Sequence, residues 1–171
     1  YDLVGSVFEQ IARKEPWCID AVAVASIGLM AVNDGGYDRG CRPTIRNLEA
    51  GMQLLLEDHR QFHIVDRESD FSRYRLVVFP DRVRFDEALA EKVRGYLAGG
   101  GRVLLSHESG LAVGSDSFAV DLGSECLGDS EYTVTYLRAA DALRGDLAAA
   151  DHVVYEKGKR IVAGEAETLA T

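Results

Sequence analysis

Between residues 75 and 110 the apolar positions change from continuous runs to helical spacing and back. The runs 76–79 (LVVF) and 103–105 (VLL) are apolar throughout, as in strands that are covered on both faces. Between them apolar side chains recur every three or four residues, which predicts a helix that begins after Asp86 and ends at the glycines 99–101. A strand, a crossover helix and a second strand predict a βαβ unit with parallel strands.

The remaining pattern predicts further alternation of helices and strands. Helices are predicted at 2–14 and from Thr44 to 56, strands at 21–27, 62–65 and 132–137, and a β-hairpin from 152–156 and 160–163. This order predicts a flavodoxin-like, three-layer α/β/α fold with a mostly parallel central sheet. We expect Trp17 to pack the first helix against the domain, and residues 28–43 to form a long glycine-rich loop.

Composition narrows the class of protein. With 171 residues the chain has the size of one domain, and 47% hydrophobic residues suffice for a core. The net charge is −9 and lysines and arginines are not clustered, which argues against nucleic acid or an anionic membrane as partner. Three cysteines without a CxxC motif predict free thiols in a reducing compartment, the cytoplasm. Because Tyr1 lies within a helical pattern, we expect the chain to be a piece of a longer protein.

Ligands of open parallel sheets bind beyond the carboxyl ends of the strands. In this sequence those ends are the loop after Gly28 and the segments 80–84 and 106–115. The candidate binding or interface residues are Asn33, Asp34, Tyr37, Asp38, Glu108 and Ser109.

The segment HESG (107–110) resembles the sharp corner that presents a nucleophile, with Glu108 at the nucleophile's place. Ser106, His107 and Glu108 are the catalytic candidates there. Three consecutive residues of an extended segment point alternately to opposite sides, so they do not line up as a triad. A carboxylate is also not the nucleophile of acyl transfer. We predict no catalytic residue; a hydrolase using Ser106, Ser109 or Glu108 with His107, and a sugar-binding module, are the alternatives.

No metal or cofactor is predicted. His59 and His63 have the spacing of two zinc ligands on a helix, but the pattern changes from helix to strand between them and a third ligand is missing. The segment 33–38 has the composition of a calcium loop without its alternating oxygen ligands and closing glutamate. The glycines 99–101 follow a helix and therefore do not form a phosphate cradle before one.

Four segments together resemble the β-galactosidase-type trimerisation domain of glycoside hydrolases, which follows a TIM-barrel domain: 15–18 (EPWC), 62–81, 87–111 and 131–138 (EYTVTYLR). The most specific part is DFS-x-Y-x-LVVFPD followed by the glycines and S-x-x-SGL. The resemblance covers nearly the whole chain and implies a class I glutamine amidotransferase-like fold. It implies that 1–18 is a connecting helix from a preceding barrel and that 19–171 is the trimerisation domain.

The resemblance also implies a function. Amidotransferases of this fold place a cysteine where this chain has Glu108, so thiol-based glutaminase chemistry is not expected. In the galactosidases this domain builds oligomers and can help wall a neighbour's active site, while the glycosidic carboxylates lie on the barrel. Hydrolysis of a glycoside needs two carboxyl groups that flank one bond, and no convincing pair is present. The resemblance therefore implies an assembly domain that forms a trimer within a glycosidase acting on carbohydrate.

Overall fold

The computed structural model describes residues 1–31, 42–146 and 148–170, and a parallel four-stranded sheet lies at its centre. The helices are α1 (Asp2–Lys14), α2 (Arg42–Glu57), α3 (Glu87–Ala98) and α4 (Asp141–Arg144), and the strands are β1 (Ile27–Met30), β2 (Phe62–Val65), β3 (Leu76–Phe79), β4 (Arg102–Leu105), β5 (Ser124–Asp129), β6 (Thr135–Leu137), β7 (His152–Val154) and β8 (Lys159–Ala163). The central sheet has the order β2-β1-β3-β4 with all pairs parallel. Among the described residues, no helix combines the length and the apolar character needed to cross a membrane.

Alternate residues of the central strands pack against helices on opposite faces of the sheet. Val77 and Phe79 belong to the same buried cluster as the inner side of α3. Val78, between them, packs with Leu29 and with Leu55 of α2. A strand whose side chains are all buried needs a cover on both faces, which explains the continuous apolar run of β3. The three-layer, flavodoxin-like arrangement predicted from the sequence is confirmed.

Local side-chain chemistry defines both ends of α3. The carboxylate of Asp86 accepts a hydrogen bond from the backbone N–H of Leu89 at 2.9 Å, which satisfies one of the free donors of the first turn. Tyr96, in the last turn, is buried and its hydroxyl donates to the backbone oxygen of Tyr74 at 3.1 Å. The chain then reverses through the predicted glycines, and Gly101 lies directly against the Tyr96 ring.

After β4 the chain forms two antiparallel pairs, in which β5 pairs with β8 and β6 pairs with β7. The predicted hairpin of 152–156 with 160–163 is therefore wrong. Both strands exist, but the residues between them carry the chain from one pair to the other. Each strand finds its partner in an earlier part of the sequence. The strand β5 (SECLGD) was not predicted because it contains few apolar residues. In the structure its residues alternate between partly buried and exposed.

The first strand is shorter than predicted. It begins at Ile27 and not at Ala21, and residues 21–26 are mostly exposed and outside any strand. Gly28 lies inside β1, where a Cβ would come within 3.2 Å of Val65 and 3.3 Å of Tyr74. The predicted loop 28–43 therefore cannot begin at Gly28, and α2 already begins at Arg42.

The first helix has the predicted bounds but not the predicted packing. Helix α1 has no buried residue, and Trp17 is 85% exposed. The expectation that Trp17 packs the helix against the domain is wrong, because nothing in the described part of the chain covers this side chain. The apolar face of α1 is therefore exposed.

Replacing Gly101 with alanine should destabilise the chain by about 1–3 kcal/mol, because the new Cβ would overlap the ring of the buried Tyr96. Gly95→Ala in α3 is the matched control, since nothing lies within 4 Å of its Cβ position. Removing a glycine from a helix interior there should stabilise by about 0.5–1 kcal/mol. Urea unfolding measures both changes, and equal effects of the two substitutions would contradict the packing described here.

Candidate functional site

A crevice of about 500 Å³ lies beyond the carboxyl ends of β3 and β4, where parallel sheets commonly bind ligands. One wall is the turn that follows β4, residues 106–110, which we call the corner. The other wall is the segment that joins β7 to β8. The lining residues are Asn47, Asp81, Arg82, His107, Glu108, Asp129, Val154, Glu156, Lys157 and Gly158. Most of these side chains are polar or charged.

Hydrogen bonds continue from the central sheet into the corner and join the segment after β3 to the segment after β4. The Ser106 hydroxyl accepts from the backbone N–H of Asp81 at 2.8 Å and donates to its carboxylate at 2.7 Å. The backbone N–H of Glu108 donates to the backbone oxygen of Asp81 at 2.7 Å. The buried hydroxyl of Ser109 accepts from the backbone N–H of Val83 at 3.1 Å. The two segments predicted to lie at the strand ends are thus brought together.

The candidate catalytic residues have separate partners. Ser106 is engaged by Asp81, whereas a ring nitrogen of His107 lies 3.2 Å from the backbone oxygen of Lys157. Glu108 pairs with Arg84 at 3.2 Å. The corner is a turn rather than the start of a helix, and His107 has positive φ, +51°, as does Gly110. The predicted binding residues Asn33, Asp34, Tyr37 and Asp38 lie outside the described residues.

One nearly buried lysine links the corner to the second half of the chain. The side chain of Lys159 is 7% exposed and its ammonium lies 2.6 Å from the carboxylate of Asp129. The same group lies 3.5 Å from Asp116 and 3.9 Å from Glu108. A cation removed from water needs such anionic neighbours. Lys159 therefore ties β8 to the end of β5 and to the corner.

Arg84 completes the network from the side of the central sheet. Its guanidinium contacts the carboxylates of Glu108 and Asp116, and it donates to the backbone oxygens of Ala112 at 3.2 Å and Ser115 at 2.7 Å. Glu108 and Asp116 are thus shared by two cations. The planar guanidinium suits this role because it can donate in several directions at once.

The hydrogen bonds and charges of this network shift the pKa values of three of its members. The hydrogen bond from Lys159, followed by its charge, lowers the pKa of Asp129 below its ordinary value. The hydrogen bond to Asp129 raises the pKa of Lys159, although burial acts in the opposite direction. The hydrogen bond to Glu108 is the main cause that raises the pKa of Arg84. All three shifts favour the charged forms, so the crevice wall is a set of ion pairs at neutral pH.

Several residues of this site were missed in the sequence. Arg84 and Asp81 lie in the segment 80–84, which was predicted to border the site, but neither was singled out. Asp129 and Lys159 were not considered because β5 was not predicted and Lys159 was taken for a hairpin residue. Ion pairs between residues so far apart in the chain leave no local pattern by which to find them.

The two histidines with metal-like spacing do not form a site. Helix α2 ends at Glu57, and His59 follows it with positive φ, +54°. His63 lies in β2, where its ring nitrogen is 3.1 Å from the hydroxyl of Tyr74. Within residues 1–31, 42–146 and 148–170, no three histidine, cysteine, aspartate or glutamate side chains are placed to hold a metal ion.

Comparison with protein families finds a family whose model matches part of this chain. Residues 52–124, which run from α2 through the corner to the start of β5, match the model of the family described as "Beta-galactosidase trimerisation domain". Residues 52–124 are therefore similar to the β-galactosidase trimerisation domain. The match confirms the resemblance seen in the sequence.

Solved structures extend the similarity over the whole chain. α-L-Fucosidase isoenzyme 2 from Paenibacillus thiaminolyticus matches 99% of this chain with 31% identity and a TM-score of 0.88. A β-galactosidase from Bacillus circulans sp. alkalophilus matches 89% with 18% identity and a TM-score of 0.67. A cold-adapted β-galactosidase from Rahnella sp. R3 matches 87% with 16% identity and a TM-score of 0.66. The two galactosidases share the fold of this chain.

The chain spans about a quarter of the length of these solved proteins: 26% of the fucosidase and 25% of each galactosidase. A search of curated proteins finds no match to the chain.

The lowered pKa of Asp129 should make this chain less stable in acid. A carboxyl group with a lower pKa in the folded state than in the unfolded state stabilises the fold above about pH 4, and this contribution is lost as pH falls through the folded pKa. The pKa values of Asp66, Asp70 and Asp86 are lowered too, so their contributions disappear in the same direction.

Asp129→Asn tests this assignment. The variant should be less stable than the unmodified chain at pH 6, and the difference should shrink as pH falls through the folded-state pKa of Asp129, below which the carboxyl is protonated in both states. Urea unfolding at several pH values measures it. Glu9→Gln, which removes an exposed carboxylate from α1, is the matched control for the loss of one negative charge. A constant difference between Asp129→Asn and the unmodified chain over this range would contradict the assignment.

Proposed function

We propose that this chain is a non-catalytic assembly domain of a β-galactosidase-like glycoside hydrolase, where it promotes oligomerisation and helps to shape the carbohydrate-binding pocket. The observation that carries the proposal is the family match, because the family is described by its role in trimerisation. The similarity of 99% of the chain to one domain-sized part of a fucosidase supports a place within a longer glycosidase.

The geometry of the corner supports a role without catalysis. The Ser106 hydroxyl has both its donor and an acceptor position occupied by Asp81, and His107 is directed to the backbone of Lys157. A nucleophile and its base should lie within hydrogen-bond reach of each other. Glu108, at the place of the nucleophile, is held between Arg84 and Lys159 as an ion-pair partner. Each candidate group thus serves the structure of the corner.

The crevice supports the second part of the proposal. It is open and polar, and its walls present Glu156 and Lys157 from one side and Asp81 and Arg82 from the other. Hydrogen-bonding groups held on such a frame suit contact with the polar rim of a sugar-binding pocket on a neighbouring subunit. The crevice would then form part of a wall that another domain completes.

We also propose that residues 1–18 connect this domain to a preceding barrel in the same polypeptide. The side chains of Leu3, Val7, Phe8 and Ile11 are 47–80% exposed although they share the apolar face of α1. A helix of 13 residues is marginal in water without packing. A barrel that covers this face would supply the missing packing.

The cytoplasm is the proposed compartment. Cys18 and Cys126 are free thiols in the described part of the chain, as proteins of reducing compartments usually have.

The assembly role predicts the behaviour of the full-length polypeptide that carries this domain. We expect it to be a trimer, and deletion of residues 19–171 should convert it to a monomer. Light scattering over a wide range of concentrations measures the mass, and a thermal melt of the deleted form shows whether the remainder is folded. A trimer that survives the deletion would overturn the assembly role.

The full-length polypeptide and its deletion form also test whether the crevice is part of the wall of the sugar-binding pocket. If the crevice helps to shape the sugar site, the folded deletion form should show a higher KM for its glycoside. A monomer with an unchanged KM would preserve the assembly role and contradict the pocket role.

The connecting helix predicts a difference between the long and the short protein. Phe8→Glu should lower the Tm of the full-length polypeptide, because a charge would be placed in a covered apolar contact. The same substitution in the 171-residue chain should have little effect on Tm, since Phe8 is 66% exposed there. Glu9→Gln, next to it on the helix, is the control in both proteins. Equal effects of Phe8→Glu in the two proteins would contradict the proposed contact.

A further inference from the structure

The pair of strands β6 and β7, which we call the ribbon, presents an uncovered apolar face. In its register Tyr136 lies opposite Val153, so the two side chains share one face. Tyr155 lies just beyond the end of β7, two residues after Val153. Their exposed fractions are 65% for Tyr136, 44% for Val153 and 79% for Tyr155.

The opposite face of the ribbon carries Val154, which is 38% exposed and lines the crevice. Because successive residues of a strand point to opposite faces, the face of Tyr136 and Val153 is turned away from the crevice. An exposed apolar face of this kind is typical of a surface that contacts another protein.

The ribbon needs such a contact for its own stability. A two-stranded sheet is marginal in water unless a further layer covers it. Backbone hydrogen bonds tie its neighbourhood to the domain, from Ala140 to Leu169 at 2.8 Å and from Ser130 to Gly158 at 2.9 Å. These bonds hold the ends of the ribbon and leave its outer face open.

We propose that this face binds a second copy of the same polypeptide and forms part of the trimer contact, an inference that rests on the proposed assembly function. In a threefold arrangement each ribbon would contact a different surface of the next copy. Aromatic side chains bury about 150–250 Å² each. Tyr136, Tyr155 and the neighbouring Tyr132, each at least 65% exposed, could therefore supply roughly half of the ~800 Å² per partner of a stable interface.

Charge also favours a second copy at this face. The chain carries a net charge of −9, so two copies repel each other over most of their surfaces. Tyr136, Val153 and Tyr155 are uncharged, and the adjacent Arg138 and Asp151 neutralise each other at 2.6 Å. The ribbon can therefore approach another copy without bringing excess negative charge into the contact, and its tyrosines are of the type enriched in interfaces.

The test uses the full-length polypeptide with Tyr136→Glu and Tyr155→Glu combined. Light scattering over a wide concentration range should show self-association weakened by at least ~100-fold, since exposed aromatic anchors dominate interface energies. The matched control combines Leu56→Glu and Val113→Glu, which add the same charges at apolar positions that are 61% and 65% exposed away from the ribbon. The control should assemble as the unmodified protein does.

The outcomes separate this inference from the proposed function. An unmodified trimer with a ribbon variant that stays assembled would overturn the ribbon contact and leave the assembly function standing. An unmodified protein that is monomeric at every concentration would overturn both.

A second measurement covers a ribbon variant that fails to fold. In a background with the three native cysteines replaced by serine, Tyr155→Cys carrying a benzophenone label should form covalent oligomers on irradiation, and Leu56→Cys with the same label should not. Equal cross-linking by the Tyr155→Cys and Leu56→Cys variants, or no cross-linking by Tyr155→Cys, would overturn the ribbon contact.

Discussion

Burial of both faces of β3 is the constraint on which the rest of this structure depends. Val77 and Phe79 are fully buried on the side of α3, and Val78 is 9% exposed on the side of α2. Phe79 also packs against Phe85 with ring centroids 5.0 Å apart. Since the strand cannot shift by one residue without exchanging its two faces, its end is fixed in space. That end positions the segment that carries Asp81 and Arg84, and with it one wall of the crevice.

A second constraint acts on the other wall. Lys159 is nearly excluded from water, so its charge requires the carboxylates that surround it. These carboxylates come from the corner after β4, from the following loop and from the end of β5. One side chain therefore connects the antiparallel half of the molecule to the parallel sheet. The hydrogen bonds and ion pairs of these residues make the corner a well-defined frame.

Exposed apolar side chains occur in many elements, and in two of them they share one face. The apolar face of α1 and the outer face of the ribbon each expose several large side chains. Scattered apolar residues are normal on protein surfaces, but two faces that each belong to one element are not. The proposed contacts with a preceding barrel and with a second copy would cover these two faces.

The sequence by itself determined the elements that depend on near neighbours in the chain. The bounds of α1, β2, β3 and α3 follow from apolar periodicity, a capping aspartate and glycines, all of which act within a few residues. Tertiary structure alone decided which strands pair in the antiparallel half, because the partners of β7 and β8 lie in earlier segments whose apolar pattern is weak. It also decided which residues form the candidate site, since Lys159 and Asp116 are in contact although they lie 43 residues apart in the sequence. An ion pair at that distance depends on where the fold brings two side chains, and no local spacing encodes it.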